Sequence, residues 1–499
     1  MDELRRVGID FVLMRHESNA GIAAAVYGKL RRQPGVVLTT LGPGAANLML
    51  PLSSSYLDQE PLLAISAQIP DDFPASHTHQ LLPLHEVYRP VTKYTDKITS
   101  GNVEVVTHAV AECMTRLFGA AYLTLSAREA LKPADGPQKD GWSGRPADSQ
   151  GDVTQAVREL TGALAKARRP LVLAGLGADQ SNAERLRHWL KKWRLPVAVT
   201  PKVKGIVDET ADNFVGTVGG MAADALMCEA LKAADLLIGF GLDPVEVDQT
   251  WHAELPILWV LEAPNAGGVI PMGIHLVNHA QLLDALHEKQ PPADWGEPFR
   301  TFQQKRQDML RGRAGISGTM WPGDVIQRLA SVMPPETIVT TDVGSHKYLF
   351  GQFWPSRKPE TFWMSNGLSG MAYGLSAAIG AKLARPNSPV LAAVGDGGFS
   401  MNSQELETSK RVGAPFITIV LEDRSYSLIK LSQENKKLEP YRTDFQPIDS
   451  VKIAEACGID GLRTSDPDTM AAAVTRALER NSSLVLEIPV AYEDYRRLF

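Results

Sequence analysis

Residues 389–402, PVLAAVGDGGFSMN, and residues 415–423, PFITIVLED, contain the pattern that decides the fold. Each begins with an apolar run that predicts a buried strand, and the amphipathic residues 403–412 between them predict a helix. Strand, helix and strand in this order predict a βαβ unit with parallel strands. Asp396 and Asp423 would then lie at the carboxyl ends of neighbouring strands, in the crevice where open α/β sheets bind ligands.

The residues around these two acids indicate what such a crevice could bind. Gly395, Gly397 and Gly398 would let the backbone approach a phosphate closely. Two carboxylates beside phosphate oxygens suit Mg²⁺ better than a softer metal. A Gly-Asp-Gly tripeptide alone is more often a simple turn. The acid at both strand ends, with a whole helix between them, favours the metal and phosphate site here.

The composition restricts the class of protein. Hydrophobic residues make up 44% and charged residues 22% of the 499 positions, as in ordinary globular enzymes. A net charge of −6 gives no basic field for nucleic acid. The three cysteines are far apart and no apolar run could cross a bilayer. We therefore expect a cytoplasmic enzyme with neither a nucleic-acid nor a membrane partner.

Strands alternate with helices along the chain, which predicts an α/β fold of doubly wound domains with parallel sheets. A chain of this length should form three domains. Two segments with little apolar periodicity, rich in Pro and in Gly or charged residues, predict linkers between them. The predicted division is 1–131, a linker over 132–152, 153–290, a second linker over 291–320, and 321–499.

The first domain has two candidate features beside its predicted strands 9–14, 36–40 and 61–66. Glu17 follows the first of these strands, where active-site residues of parallel sheets lie. Alternatively, it is a helix N-terminal acid that complements the helix dipole. Residues 42–44, Gly-Pro-Gly, form either a tight turn or a loop that admits a ligand against bare backbone.

Two further patterns are weaker. Residues 175–177 and 239–241, Gly-Leu-Gly and Gly-Phe-Gly, follow predicted strands of the middle domain. They are fragments of a dinucleotide fingerprint, so a structural role is favoured there. His77, His79 and His85 have the spacing of a metal cluster, but their turn-rich surroundings favour a polar loop.

The third domain adds two segments to the opening pattern. Residues 337–341 predict a strand that ends in residues 342–346, Asp-Val-Gly-Ser-His. Residues 365–374 are mostly small and lead into a predicted helix over 375–383. Met371 in this segment would, taken alone, be an ordinary core methionine.

Together these stretches resemble the thiamine-diphosphate-dependent enzymes of the acetolactate synthase, pyruvate oxidase and decarboxylase group. The resemblance covers nearly the whole chain, in that family's order of pyrimidine-binding, central and diphosphate-binding domains. Five short motifs carry it: Arg15-His16-Glu17, residues 40–47 (TLGPGAAN), residues 342–346, Gly370-Met371 before a helix, and Gly395-Asp396-Gly397 with its acidic partner Asp423.

The resemblance implies thiamine diphosphate and Mg²⁺ as cofactors. Glu17 matches the glutamate that bonds a ring nitrogen of the aminopyrimidine and allows proton exchange there. Met371 matches the residue that wedges between the two rings of the cofactor. Asp396, Asp423 and the carbonyl of Ser425 match the Mg²⁺ ligands, although many relatives carry Asn where Asp423 stands.

Other positions follow from the same resemblance. Gly344, Ser345 and His346 would contact the diphosphate. The remaining cofactor-binding positions are Gly42, Pro43, Gly44, Gly370, Gly395, Gly397 and Gly398, and those near the substrate are Gln68, His79, Gln80, Leu428 and Ser432. In this family the pyrimidine domain of one subunit meets the diphosphate domain of another, which implies a homodimer or a homotetramer.

The reaction is the least determined part of the resemblance. Residues 485–494 and 445–449 resemble flavin-independent, catabolic acetolactate synthases, so FAD is not expected and two pyruvates would condense with loss of CO₂. A decarboxylase or acyltransferase acting on another 2-oxo acid is the alternative within the family. The family's first strand would precede residue 1, so a truncated, weakly active or non-catalytic cofactor-binding partner subunit is the alternative of another class.

Overall fold

The computed structural model describes residues 2–74, 76, 78–115, 117–133, 151–246, 257–263, 274–311, 315–316 and 318–498. These residues form three α/β units, and every strand pairing within them is parallel. The predicted fold class is therefore confirmed. No helix in the described ranges is long and apolar enough to cross a membrane.

The first unit is built on a sheet of four strands in the order β1-β2-β4-β3. The strands are β1 (Gly35–Thr39), β2 (Leu62–Gln68), β3 (Tyr94–Ile98) and β4 (Ala120–Ser126).

The predicted strand over residues 9–14 is wrong, because that segment has no strand pairing. Side chains of the third unit bind its backbone instead: Arg411 donates to the carbonyl of Leu13, and Glu405 accepts from the amide of Arg15.

The second unit has six strands in the order β10-β9-β8-β5-β6-β7. They are β5 (Pro170–Ala174), β6 (Val197–Val199), β7 (Phe214–Thr217), β8 (Leu236–Phe240), β9 (Ile257–Leu261) and β10 (Ile274–Leu276). Most of the predicted linker 132–152 lies outside the described residues. The other predicted linker contains a helix, Arg300–Asp308, whose buried Arg306 lies over the ring of Phe214 in β7.

The third unit also has six strands, in the order β12-β11-β13-β14-β16-β15. They are β11 (Ile338–Thr341), β12 (Phe362–Met364), β13 (Val390–Gly395), β14 (Ile417–Glu422), β15 (Asp460–Arg463) and β16 (Leu484–Pro489). The two strands of the opening pattern are neighbours, with Gly395 opposite Leu421. Both are buried on both faces, which explains their continuous apolar sequences.

Helices cover the faces of the three sheets. Those of eight or more residues are Glu17–Arg31, Met49–Leu57, Glu104–Met114, Val153–Leu164, Ala183–Trp193, Asp224–Ala233, His279–His287, Arg300–Asp308, Pro322–Val332, Ser345–Phe353, Gly374–Ala384, Ser427–Asn435 and Pro467–Arg480. The shorter ones are Asp2–Arg6, Pro43–Ala46, Leu84–Tyr88, Ala127–Ala130, Asp396–Asn402, Glu405–Arg411, Ser450–Ala456 and Tyr492–Arg496.

The crossover between β13 and β14 differs from its prediction. Instead of one helix over 403–412, the chain forms two short helices, Asp396–Asn402 and Glu405–Arg411. The glycine-rich segment is therefore already helical. Asp396 is the first residue of its helix, where a carboxylate complements the positive end of the helix dipole.

The first and third units share a core. Ile22, Val26 and Leu30 of helix Glu17–Arg31 pack against Leu375 and Ile379 of helix Gly374–Ala384. This contact fixes the position of the Glu17 helix relative to the third sheet.

Candidate functional site

Asp396 and Asp423 lie side by side at the ends of β13 and β14, as the opening pattern predicts. Asp396 is 6% exposed, and its two carboxylate oxygens accept from the amides of Gly397, at 2.9 Å, and Arg424, at 2.8 Å. Asp423 accepts from the amide of Ser425 at 3.2 Å and from the hydroxyl of Ser427. Backbone donors thus hold both carboxylates in one small region.

The electrostatics of this pair favour a cation. Burial, together with the charge of Asp423, raises the pKa of Asp396 to about 7. Burial raises the pKa of Asp423 to about 6. A divalent cation between the two carboxylates would relieve both effects. Two carboxylates with a nearby backbone carbonyl at Ser425 form an oxygen donor set that fits Mg²⁺.

His346 lies beside the acids, in the first turn of helix Ser345–Phe353. A Cβ atom on Gly344 would lie 2.6 Å from its ring, and one on Gly395 would lie 3.0 Å away. The ring therefore needs both glycines. Burial lowers the pKa of His346 to about 3, so the imidazole is neutral. Among the described residues its buried Nε2 has no hydrogen-bond partner, so this ring nitrogen is left for a ligand.

Two residues next to His346 complete this end of the third sheet. Ser345, the first residue of the helix, is 5% exposed. Asp342 is fully buried after β11, and burial raises its pKa to about 6. A Cβ on Gly398 would lie 2.6 Å from its Oδ2, so Gly398 makes room for Asp342. Asp342 lies in one of the predicted motifs, but no role was predicted for it.

Met371 lies on the other side of the acids. Its Cε is 3.6 Å from the position of a Cβ on Gly397, and Tyr426 and Phe445 approach the same point at 3.0 and 3.5 Å. Their two rings are 5.2 Å apart. An apolar wall of three side chains therefore faces Gly397. No site role was predicted for either aromatic residue, although Tyr426 follows the acidic end of β14 closely.

Gly370, the remaining position of this segment, packs against the first unit. A Cβ on Gly370 would lie 2.5 Å from Cδ1 of Leu50, in helix Met49–Leu57. The Met371 segment therefore contacts the first unit through Gly370 and the Gly397 region through Met371.

Glu17 belongs to a second cluster, in the first unit. It is the first residue of helix Glu17–Arg31, and its Oε2 accepts from the side-chain amide of Asn47 at 3.0 Å. A Cβ on Gly44 would lie 3.2 Å from its Oε1. Pro43 and Gly44 belong to the short helix Pro43–Ala46. The structure therefore brings Glu17 together with the Gly-Pro-Gly turn. Asn47 was quoted in that motif without a role.

The rest of this turn contacts a predicted substrate-proximal residue. Gly42 has a φ of +61°, which favours glycine, and a Cβ there would lie 2.8 Å from Cβ of Gln80. Gln68, at the end of β2, donates to the carbonyl of Leu82 at 3.2 Å. His79 is exposed.

The other two predicted substrate-proximal residues, Leu428 and Ser432, lie on helix Ser427–Asn435 of the third unit, half-buried and exposed respectively. The predicted substrate positions are thus divided between the two units.

The histidine spacing does not define a metal site in the described ranges. His85 bonds to the hydroxyl of Thr124 at 2.9 Å, and His77 lies outside the described residues. Within the part of the chain that the structure describes, no group of three or more His, Cys, Asp or Glu side chains is arranged to hold a metal. The Asp396–Asp423 pair would need oxygen ligands from the backbone and from a phosphate.

The two clusters belong to different units of the chain. Among the described residues, no hydrogen bond or ion pair joins Glu17 to Asp396 or Asp423. The structure therefore assembles each predicted half of the site but does not connect the proton-handling half with the metal-binding half.

The glycines of the middle unit bind its own backbone. The amide of Gly177 donates to the carbonyl of Gly241 at 2.8 Å, and the amide of Leu176 donates to Glu246 at 2.8 Å. Burial raises the pKa of the Glu246 carboxyl to about 7. The turn that a nucleotide phosphate would need is thus bound by a carboxyl of the same chain, which the sequence fragments did not indicate.

Three family models match the chain in order: the N-terminal TPP binding domain of thiamine pyrophosphate enzymes over residues 1–85, their central domain over 157–275 and their C-terminal TPP binding domain over 342–488. The chain belongs to the thiamine pyrophosphate enzyme family. This confirms the family resemblance drawn from the short motifs.

Three relatives within this family are named as acetolactate synthases or as a subunit of one. The chain is 28% identical to an acetolactate synthase of Bacillus subtilis (strain 168), over 99% of this chain and 88% of the relative. It is 27% identical to a catabolic acetolactate synthase of Raoultella terrigena, over 99% of this chain and 90% of the relative. The large subunit of acetolactate synthase isozyme 2 of Escherichia coli (strain K12) is also 27% identical, over 98% of this chain and 90% of that subunit.

Proposed function

We propose that this enzyme uses thiamine diphosphate and Mg²⁺ to decarboxylate pyruvate and to join the remaining two-carbon unit to a second 2-oxo acid. The observation that carries the proposal is the pair of the buried Asp396 and the half-buried Asp423, which favours a cation, beside the Nε2 of His346, for which the described residues offer no partner. Its similarity along nearly its whole length to acetolactate synthases supports the choice of reaction.

The third unit would hold the charged end of the cofactor. Asp396, Asp423 and the carbonyl of Ser425 are the proposed Mg²⁺ ligands. The neutral His346 and the backbone at Ser345 are the proposed diphosphate contacts, and a helix N-terminus at that position favours an anion. Because burial keeps His346 neutral, it adds no positive charge that would repel the metal.

The first unit would handle the proton. When bound, thiamine diphosphate would supply a ring carbon as the nucleophile for a ketone carbonyl and its positively charged ring as the acceptor of the electron pair left when CO₂ departs. Glu17 is proposed to share a proton with the pyrimidine ring of the cofactor. Asn47 would orient the Glu17 carboxylate through their 3.0 Å hydrogen bond. Met371, with Tyr426 and Phe445, would exclude water on the side of Gly397.

A homodimer is the proposed minimal active form. The lack of any hydrogen bond or ion pair between the Glu17 cluster and the Asp396–Asp423 pair, among the described residues of one chain, supports it, because a second copy could supply the missing half. Gln68, Gln80 and His79 would then come from one subunit and Leu428 and Ser432 from its partner. We also retain the predicted domain boundaries as proposals. A cytoplasmic location is proposed because the three cysteines form no disulfide.

The test is product analysis with purified protein, pyruvate, Mg²⁺ and thiamine diphosphate. We expect one acetolactate and one CO₂ for every two pyruvates consumed, and no product when Mg²⁺ is chelated. Acetaldehyde in place of acetolactate would identify a decarboxylase instead. Cofactor binding without turnover of any of a panel of 2-oxo acids would identify a non-catalytic partner subunit.

A further inference from the structure

The loop Asn366–Tyr373 carries Met371 and joins β12 to helix Gly374–Ala384. Ser369 and Ala372 within it have φ angles of +55° and +65°. Residues with a side chain rarely adopt this left-handed conformation, because the Cβ atom crowds the backbone. Such conformations persist only where the surroundings hold them. The shape of the loop therefore depends on contacts from outside it.

The first of these contacts comes from Asp58, which directly follows helix Met49–Leu57 of the first unit. Its carboxylate accepts from the amides of Asn366, at 3.1 Å, and Gly367, at 2.8 Å. Asp58 is 1% exposed, so water does not compete for these bonds. Hydrogen bonds to an ionised carboxylate are stronger than those between neutral groups. Asp58 thus fixes the start of the loop.

The second contact fixes its end. The hydroxyl of Tyr373 donates to Glu60 at 3.3 Å, and both residues are buried. Asp58 and Glu60 are separated by one residue along the chain, so a single short segment of the first unit holds both ends of the Met371 loop.

Lys202 of the second unit joins these two contacts. Its Nζ donates to Glu60 at 3.0 Å and to the carbonyl of Met364 at 2.8 Å, and it lies 3.6 Å from a carboxylate oxygen of Asp58. Two buried carboxylates are costly without a cation, and Lys202 supplies one. Met364 is the last residue of β12, the strand that leads into the loop. One ammonium group therefore contacts both carboxylates and the end of that strand.

We propose that Asp58, Glu60 and Lys202 are positioning residues that hold the Asn366–Tyr373 loop in the shape needed for cofactor binding. This inference rests on the proposed function, because it assigns Met371 to the cofactor site. The second unit then acts on that site through Lys202, although none of this residue's hydrogen bonds or ion pairs among the described residues reaches Asp396, Asp423 or His346. If these three residues only joined the three units, substituting them would lower the stability of the protein and leave its cofactor affinity unchanged.

Lys204 provides a matched control for that distinction. It lies two positions further along, is fully buried, forms an ion pair with Glu209 and donates to the carbonyl of Trp354 at 3.1 Å. Like Lys202, it therefore joins a buried acid to a backbone carbonyl of the third unit. None of its hydrogen bonds among the described residues reaches the Met371 loop.

The experiment compares Lys202→Met with Lys204→Met in the full-length protein. Three properties are measured for each variant. They are the unfolding temperature without cofactor, the Kd of thiamine diphosphate at saturating Mg²⁺, and kcat and KM with pyruvate. We expect both variants to lose thermal stability. Only Lys202→Met should weaken cofactor binding and lower kcat, each by about tenfold, with an unchanged KM for pyruvate. Tyr373→Phe should raise the cofactor Kd about threefold with little loss of stability, because it removes only the hydroxyl.

Equal cofactor affinity in Lys202→Met, Tyr373→Phe and the unmodified protein would overturn the inference and leave the proposed function intact. If Lys202→Met does not fold, Tyr373→Phe and Glu60→Gln decide the matter by the same measurement. Failure of the unmodified protein to bind thiamine diphosphate with Mg²⁺ would overturn the proposed function as well.

Discussion

The Glu17 cluster and the Asp396–Asp423 pair are built in opposite ways. Asp396 is nearly inaccessible and accepts two backbone hydrogen bonds, and burial raises the pKa of both acids. Glu17 is half-buried at a helix start, with one hydrogen bond from Asn47. The first arrangement is already fixed, and a cation or a proton would compensate its charge. The second leaves its carboxylate accessible to another molecular surface.

The largest expected effect concerns the acidic pair. Asp396→Asn removes one negative charge from the proposed metal site, so Mg²⁺ and the diphosphate should no longer bind together. We expect activity to fall by about a thousandfold. Thermal stabilisation by thiamine diphosphate with Mg²⁺ should also disappear. Thermal unfolding with and without these ligands measures this. A variant that is still stabilised by the ligands would contradict the assignment of Asp396.

A smaller and more selective effect is expected at Glu17. Glu17→Gln keeps the acceptor for the Asn47 amide but cannot exchange a proton. We expect kcat to fall by about a hundredfold, since general acid–base groups contribute at least that much. The cofactor Kd should change little, because the charged end of the cofactor is held elsewhere. Steady-state kinetics give kcat, and calorimetric titration gives the cofactor Kd. If cofactor affinity falls as much as kcat, Glu17 does not differ from the acidic pair in the way proposed.

The smallest expected effect is the pH dependence of stability without metal. Asp396 and Asp423 have pKa values of about 7 and about 6, against 3.8 for an ordinary aspartate. Between about pH 4 and pH 7 the folded protein therefore binds more protons than the unfolded chain, and its free energy of unfolding falls as pH rises. Urea unfolding in a chelator at pH 5 and pH 8 measures the slope.

Asp396→Asn is the control for that slope, which it should reduce. Addition of Mg²⁺ with thiamine diphosphate should restore stability at pH 8. If the free energy of unfolding of the metal-free protein rises over this pH range, folding does not raise the pKa values of the acidic pair.

Much of the third unit could be predicted from sequence, because strands buried on both faces are continuous apolar runs. β13 and β14 are of this kind, so their ends, and hence Asp396 and Asp423, could be located. Residues 9–14 show that an apolar run does not always predict a strand. Phe11 to Met14 form a continuous apolar run, as in a buried strand, yet Ile9 and Leu13 are 55% and 64% exposed. Pattern alone does not reveal that side chains of another unit bind that backbone.

The candidate site shows the same limit. Glu17 and His346 stand in short motifs and could be named from sequence. Tyr426 and Phe445 could not, because only folding brings them to Gly397, far from any shared motif. The network of Asp58, Glu60 and Lys202 is likewise invisible in sequence, since it joins residues of separate units and its strength comes from burial.

The carboxyl of Glu246 at the glycine turn of the second unit has a consequence for assembly in the cell. Its bonds to the amides of Leu176 and Asp243 satisfy, from within the chain, donors that would otherwise need a solute. This turn can reach its final form as soon as the polypeptide folds, whatever the supply of small molecules. Maturation of the Asp396–Asp423 region, in contrast, would follow the magnesium and vitamin status of the organism.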